Sequence, residues 1–169
     1  MSLKIIHTAD WHLGQTFFGY DRDEEHEAFL SWLIDILTLR QTDVLLIAGD
    51  VFDVANPSAA AQRRFFRFLR EANRHNPQLQ IVIIAGNHDS AARLEAPIPL
   101  LEELNTSIVG VVPRTDLCKI DFDSLLIPLY NKEGKREAIC LAVPYLRQGD
   151  YPASKEGKDT YVEGGTRMY

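Results

Sequence analysis

Cysteine is scarce in this chain: Cys118 and Cys140 are the only two in 169 residues, and no Cys-x-x-Cys spacing occurs. That excludes a disulfide framework and a thiolate metal knuckle, and both thiols read as buried apolar residues of a reducing compartment. Also missing is an apolar run long enough to cross a bilayer, which takes about 20 residues. Met1-Ser2-Leu3-Lys4 leads straight into a strand pattern without signal-peptide texture. The expectation is a cytoplasmic protein with no membrane association. A basic excess is absent too: 18 Lys and Arg face 24 Asp and Glu, for a net charge of −6. This argues against a broad cationic surface for nucleic acid. Bound divalent ions reverse the local sign of an acidic site, so a phosphodiester substrate stays open. Internal repeats and low-complexity tracts are lacking.

What is present is ordinary globular sequence, 46% hydrophobic and 25% charged, enough for one domain or one large piece of a bigger one. Leu3–Ala9 predicts a first strand that ends in Asp10-Trp11-His12. Gly14 and Gly19 mark a loop. From Asp23 to Arg40 the apolar residues Ala28, Phe29, Trp32, Leu33, Ile36 and Leu37 recur at helical spacing. Asp43–Ala48 is a second strand, buried on both faces, and closes on Gly49-Asp50-Val51-Phe52-Asp53. Asn56-Pro57 starts a helix that runs to about Asn73, with Arg63, Arg67, Arg70 and Arg74 along one stripe. That stripe reads as a solvated face before it reads as a phosphate track.

Leu79–Ile84 is the third strand, ending in Ala85-Gly86-Asn87-His88-Asp89. A helix from Ser90 to about Leu104 is interrupted by Pro97 and Pro99. Short strands follow at 107–112, 117–122, 125–130 and 138–143, with a hairpin loop at 131–135. The segment 148–169 is polar, Gly-rich and aperiodic, and predicts loop or disorder. The order βαβαβα predicts an α/β fold with a mostly parallel sheet and right-handed crossovers, continued by later hairpins.

In such a sheet the carboxyl ends of the strands share one edge. Asp10, His12, Asp50, Asn87 and His88 would converge there. On extended backbone, Asp10 and His12 would face the same side. Carboxylates mixed with imidazoles suit Mn, Fe or Zn better than calcium. Asp50, on the central strand, is placed to bridge two ions, which at roughly 3.5–4 Å apart clamp a phosphate for in-line displacement. His88 would then donate a proton to the leaving oxygen or stabilise its charge. His7 reads as a satisfied sheet histidine, and His26 and His75 as helix-surface residues. Taken singly, His12 is a loop histidine and Asp50 a turn residue. Recurrence at three successive strand ends is what coincidence explains poorly.

Those blocks, Asp10-x-His12, Gly49-Asp50 and Gly86-Asn87-His88-Asp89, resemble the calcineurin-like metallophosphoesterases. With their flanks, His7–Gly14, Ala48–Asp53, Ala85–Ser90 and Pro144-Tyr145-Leu146-Arg147, they are similar to the SbcD nuclease subunits of that superfamily. The resemblance covers residues 1–147 and implies the N-terminal part of a metallophosphoesterase sandwich. It implies a DNA exonuclease, 3′-to-5′ on duplex ends and endonucleolytic on single strands, using two divalent ions, manganese foremost. The implied partners are DNA, an SbcC-type ATPase and a second copy. The second copy would dock through helices at about 58–73 and 91–104, with Phe65, Phe66, Leu94 and Ile98 as apolar surface. Carried over by position, Asp10 and His12 hold one ion, Asp50 bridges, Asn87 holds the second and His88 is catalytic. Asp53 is expected to orient His88.

The resemblance also implies later histidines, and none follows His88. The chain is therefore expected to be an N-terminal fragment, weakly active or inactive alone. Two other readings stand beside the nuclease: a phosphoesterase for monoesters or small diesters, and a non-catalytic assembly module.

Overall fold

The structure, a computed structural model, describes residues 2–101, 104–115, 119–147, 150–151 and 161–166. Four strands build its centre: β1 (Ile5–Thr8), β4 (Val44–Ala48), β5 (Gln80–Ile84) and β6 (Thr106–Val109). They lie in the order β1-β4-β5-β6, and every pairing is parallel. Between β1 and β4 comes a two-stranded hairpin, β2 (Thr16–Phe17) with β3 (Tyr20–Asp21), and then helix α1 (Asp23–Leu39). Helix α2 (Ala59–His75) joins β4 to β5. The short helices α3 (Ala91–Glu95) and α4 (Ile98–Leu101) join β5 to β6.

The strand order explains the layering. Each crossover steps to the next strand in the same direction, so right-handed connections put all four helices on one face. On that face Leu45, Ile47, Ile81 and Ile83 pack with Leu33, Leu37, Phe65, Phe68 and Leu69 of the helices. The alternate residues Val44 and Val82 point the other way, into a second core with Val109, Leu125, Leu129 and Ala142. That second core is roofed by an antiparallel hairpin, β7 (Leu126–Tyr130) with β8 (Arg136–Leu141). The hairpin thus forms its own layer rather than continuing the central sheet. The apolar face left uncovered by one-sided helices is the physical reason. Gln80 fastens the layer: its amide donates to the Pro128 carbonyl and accepts from the Tyr130 N–H, at 2.8 and 3.2 Å.

The interruption expected in the helix from Ser90 onward is present, at Ala96-Pro97 between α3 and α4, but other elements differ. Residues 14–21, expected as loop, form the β2–β3 hairpin. His26 is buried in α1 rather than on its surface, and His7 is exposed on the edge strand. Of the apolar residues expected on a dimer surface, Phe65 and Leu94 are in the core, while Phe66 and Ile98 are half-buried. The helical period places Phe65 and Leu94 inward because the sheet needs that stripe first. The arginine stripe is largely ion-paired: Arg67 with Glu27, and Arg70 and Arg74 with Glu71. Arg64, one step off the stripe, is buried and bridges Asp23 and Glu27.

Cys140 is a free, half-buried thiol on β8, its pKa raised by that burial. Cys118 lies outside the described residues, as does part of the strand expected at 117–122, where Ile120 makes a single bridge to Arg114. Within the segment expected as loop, Tyr161–Thr166 forms a short helix, α5. Among the described residues no helix is long and apolar enough to cross a membrane.

Candidate metal centre

Asp10 and His12 follow β1, Asp50 follows β4, and Asn87 and His88 follow β5, so the parallel register delivers all five to one edge. The local backbone is not extended. Asp10, His12 and Asp50 have φ of 56°, 46° and 47°, the left-handed region that non-glycine residues rarely enter. Trp11 turns inward between the first two, its ring edge-on to Phe29, Phe65 and Phe68 and its indole N–H on Thr8 Oγ1 at 3.0 Å. An anchored Trp11 thus leaves Asp10 and His12 facing outward together.

The outcome is a compact donor set. His12 Nε2 lies 3.9 Å from Asp10 Oδ1 and 3.9 Å from Asp50 Oδ2. A ligand atom from each of the three falls within 4.8 Å of the others. Two carboxylates and an imidazole at that spacing fit one divalent cation of the Mn, Fe or Zn type. His12 also has a carboxylate behind it: its buried Nδ1 lies 3.3 Å from Asp53 Oδ1, close enough for an ion pair but without hydrogen-bond geometry. A carboxylate in that place favours one orientation of a ligating imidazole. Asn87 is exposed on the same rim and lines an open cleft of about 600 Å³ with Asp10, Asp50, Tyr145 and residues of α5.

Asp53 divides its contacts. Its carbonyl accepts from His88 Nδ1 at 2.7 Å, while its carboxylate faces His12 and accepts from Gln15 Nε2 at 3.2 Å. The expected Asp53–His88 pairing is therefore made through the backbone, and the side chain serves His12. Accepting through a carbonyl fixes Nδ1 of His88 as the protonated nitrogen. That hydrogen bond is the main reason the His88 pKa is raised, with the charges of Asp50, Asp53 and Asp89 adding to it. The rings of His12 and His88 meet edge to face at 4.9 Å.

One residue had no role assigned from sequence. Asp89 is fully buried, and its carboxylate accepts from the N–H groups of Val51, Phe52 and Gly86 at 3.2, 3.0 and 2.9 Å. It latches the loop after β5 to the loop after β4. Asp50 Oδ1 completes the clasp by accepting from the His88 N–H at 2.9 Å. Gly86 permits it: a Cβ there would meet Asp50 Oδ1 at 2.1 Å and its nitrogen at 2.3 Å. A third contact comes from the segment after β8, where Tyr145 N donates to the Ala85 carbonyl and Arg147 Nη2 to the Asp89 carbonyl. The signal for Asp89 was its place at the end of Gly-Asn-His-Asp, but nothing in that spelling says that the last carboxylate turns inward.

Similarity to known proteins agrees with this geometry. The family model of the calcineurin-like phosphoesterases matches residues 3–157. The SbcD component of the Rhodobacter capsulatus SbcCD nuclease is 48% identical over 162 residues, 96% of this chain and 40% of that protein. Its counterpart in Escherichia coli K12 is 35% identical over 158 residues, 92% of this chain and 36% of the relative. That of Bacillus subtilis is 39% identical over 122 residues, 72% and 31% respectively. The chain thus spans two fifths or less of the length of these relatives. Three strand-end blocks brought to one rim, on a parallel sheet between helices and a hairpin layer, place the chain in the calcineurin-like phosphoesterase family.

Proposed function

We propose that this chain carries metal-ligating and proton-handling residues of a DNA nuclease subunit that hydrolyses phosphodiester bonds, 3′-to-5′ on duplex ends and endonucleolytically on single strands. The observation that carries the reading is the meeting of Asp10, His12 and Asp50 at 3.9 Å spacing on one rim. The kinship with the SbcD nuclease subunits supplies the substrate class. Asp10, His12 and Asp50 would hold one cation, and Asp50 with Asn87 would contribute to a second. Such cations, manganese foremost, neutralise phosphate charge and make water a stronger nucleophile. His88 keeps Nδ1 on the Asp53 carbonyl and thereby presents Nε2 as the atom that passes a proton to the departing oxygen. Its raised pKa favours that protonated form. Asp53 is a positioning residue for both histidines.

The same kinship supports an SbcC-type ATPase as partner, a cytoplasmic setting and a role in DNA repair and recombination. A homodimer would pair α2 with α3 and α4 through Phe66 and Ile98. Since no histidine follows His88, the second cation has few donors here, and the 169 residues alone should turn over slowly. That shortage favours a second reading, an assembly module that does not catalyse.

Manganese titration with calorimetry and thermal unfolding tests the proposal. A hundredfold excess over Kd should stabilise the chain by about 2.7 kcal/mol, and Asp50→Asn should abolish the effect. With manganese, cleavage of duplex DNA is then compared with that of p-nitrophenyl phosphate. A preference for the small ester removes the nuclease assignment. A metal-free dimer in light scattering favours the assembly module, and turnover matching a full-length SbcD protein overturns the expected slowness.

A further inference from the structure

The β2–β3 hairpin breaks two local rules at once. Its turn is the two-residue pair Phe18-Gly19, with φ of 49° and 84°, between the paired residues Phe17 and Tyr20. Such a turn needs φ > 0 at both positions and is served best by Asn-Gly or Gly-Gly. A phenylalanine there is strained. The strain does not bury the ring. Phe18 is 89% exposed, Tyr20 79% and Phe17 64%, and Phe17 and Phe18 meet edge to face at 4.6 Å. Strain and exposed aromatic surface both oppose folding, and such features concentrate where a protein meets a ligand.

The hairpin is also wired to the metal centre. Gln15 N donates to the His12 carbonyl at 3.0 Å, and Gln15 Nε2 to Asp53 Oδ1 at 3.2 Å. Arg22, just past β3, donates to Gln15 Oε1 at 2.7 Å and pairs with Glu25. The base of the hairpin thus touches the residues that orient His12 and His88. Of the carboxylates at its foot, Asp23 pairs with Arg64 and Glu25 with Arg22, and the tip itself, Phe17 to Tyr20, carries no charge. What the tip offers a ligand is therefore flat aromatic surface and not a charge that would hold a phosphate. Aromatic rings stack on bases of any sequence, through π-faces rather than charge.

Resting on the nuclease reading above, we propose that Phe17, Phe18 and Tyr20 form a stacking site for an unpaired base of the nucleic-acid substrate, beside the rim that carries the metal ligands. The site selects for a frayed or single-stranded end rather than for sequence.

The test uses the whole chain and a single-stranded DNA of about twelve nucleotides containing 2-aminopurine, with EDTA or calcium to prevent cleavage. Stacking quenches the 2-aminopurine emission, and anisotropy reports affinity. Phe18→Asn creates the favoured Asn-Gly turn, so its melting temperature should equal or exceed that of the wild type. It should nevertheless bind about fivefold or more weakly and lose much of the quenching. The dependence of binding on salt should not change, since no phosphate contact is removed. A double variant, Phe17→Thr with Phe18→Asn, should lose more. Wild-type affinity and quenching in Phe18→Asn would overturn the stacking site and leave the nuclease reading standing, the tip then serving a protein partner. If the wild type itself neither binds nor quenches, the nucleic-acid reading fails and the stacking site with it.

Discussion

The left-handed backbone of the metal-ligand residues and that of Phe18 sit in two contrasting settings. At the strand ends Asp10, His12 and Asp50 adopt it within a mesh of hydrogen bonds, with Asp89 holding three N–H groups and Trp11 wedged into the core. At the hairpin tip Phe18 adopts it with its ring in solvent. The first setting is over-determined, since many contacts would have to fail together for one dihedral to relax. The second is held by the turn alone. Where geometry must be accurate before a ligand arrives, the surroundings enforce it. Where contact area is what matters, the strained residue is simply displayed.

The sharpest way to break this comparison is to cut the latch. Asp89→Ala leaves three buried N–H groups without an acceptor and should destabilise by about 4 kcal/mol in urea unfolding. A change under 1 kcal/mol would mean that the loops hold themselves. Gly86→Ala comes next. Its Cβ would strike Asp50, so a loss of about 3 kcal/mol is expected, accompanied by loss of manganese affinity because Asp50 is the residue pushed.

The smallest effect lies at the root of the hairpin. Burial holds the His26 pKa below its ordinary value, with Arg22 and Arg64 pushing the same way against Asp23 and Glu25. The folded chain therefore resists the proton more than the unfolded chain does. As pH falls through the ordinary histidine range, about 6.5, the unfolded chain takes up the proton first and stability declines. In His26→Leu the decline between pH 7 and 5 should be shallower, as measured by thermal unfolding. An unchanged slope would show that His26 takes up its proton equally in the folded and unfolded chains.

Much of the site could be read in the sequence because strand ends are easy to find. Continuous β-branched and aliphatic runs at 44–48 and 80–84 stop abruptly at Gly49-Asp50 and Gly86-Asn87, and parallel topology does the rest. What stayed hidden depends on dihedrals and on which way a side chain turns. Asp10 and His12 were expected to share a side through extended backbone, and they meet through left-handed backbone instead. Asp53 was assigned to His88, but spacing does not distinguish a carbonyl from a carboxylate as the contacting group. The β2–β3 hairpin escaped notice because Phe18 occupies the place where Asn or Gly announces a turn. The β7–β8 strands were visible, but their stacking on the sheet, rather than alongside it, follows from strand order, which local pattern does not encode. His26 looked like a surface residue because its neighbours in sequence are acidic, although helical geometry turns it toward the core.

The contact of Arg147 with the Asp89 carbonyl, with Tyr145 on Ala85 beside it, has a mechanical side. The polypeptide leaving the hairpin layer is tethered to the same loop that presents Asn87 and His88, at Ala85 and Asp89 on either side of them. Tension applied to the chain beyond Arg147 reaches that loop directly, without first deforming a strand or helix. Loss of the Arg147 contact would therefore be felt first at the loop that carries Asn87 and His88.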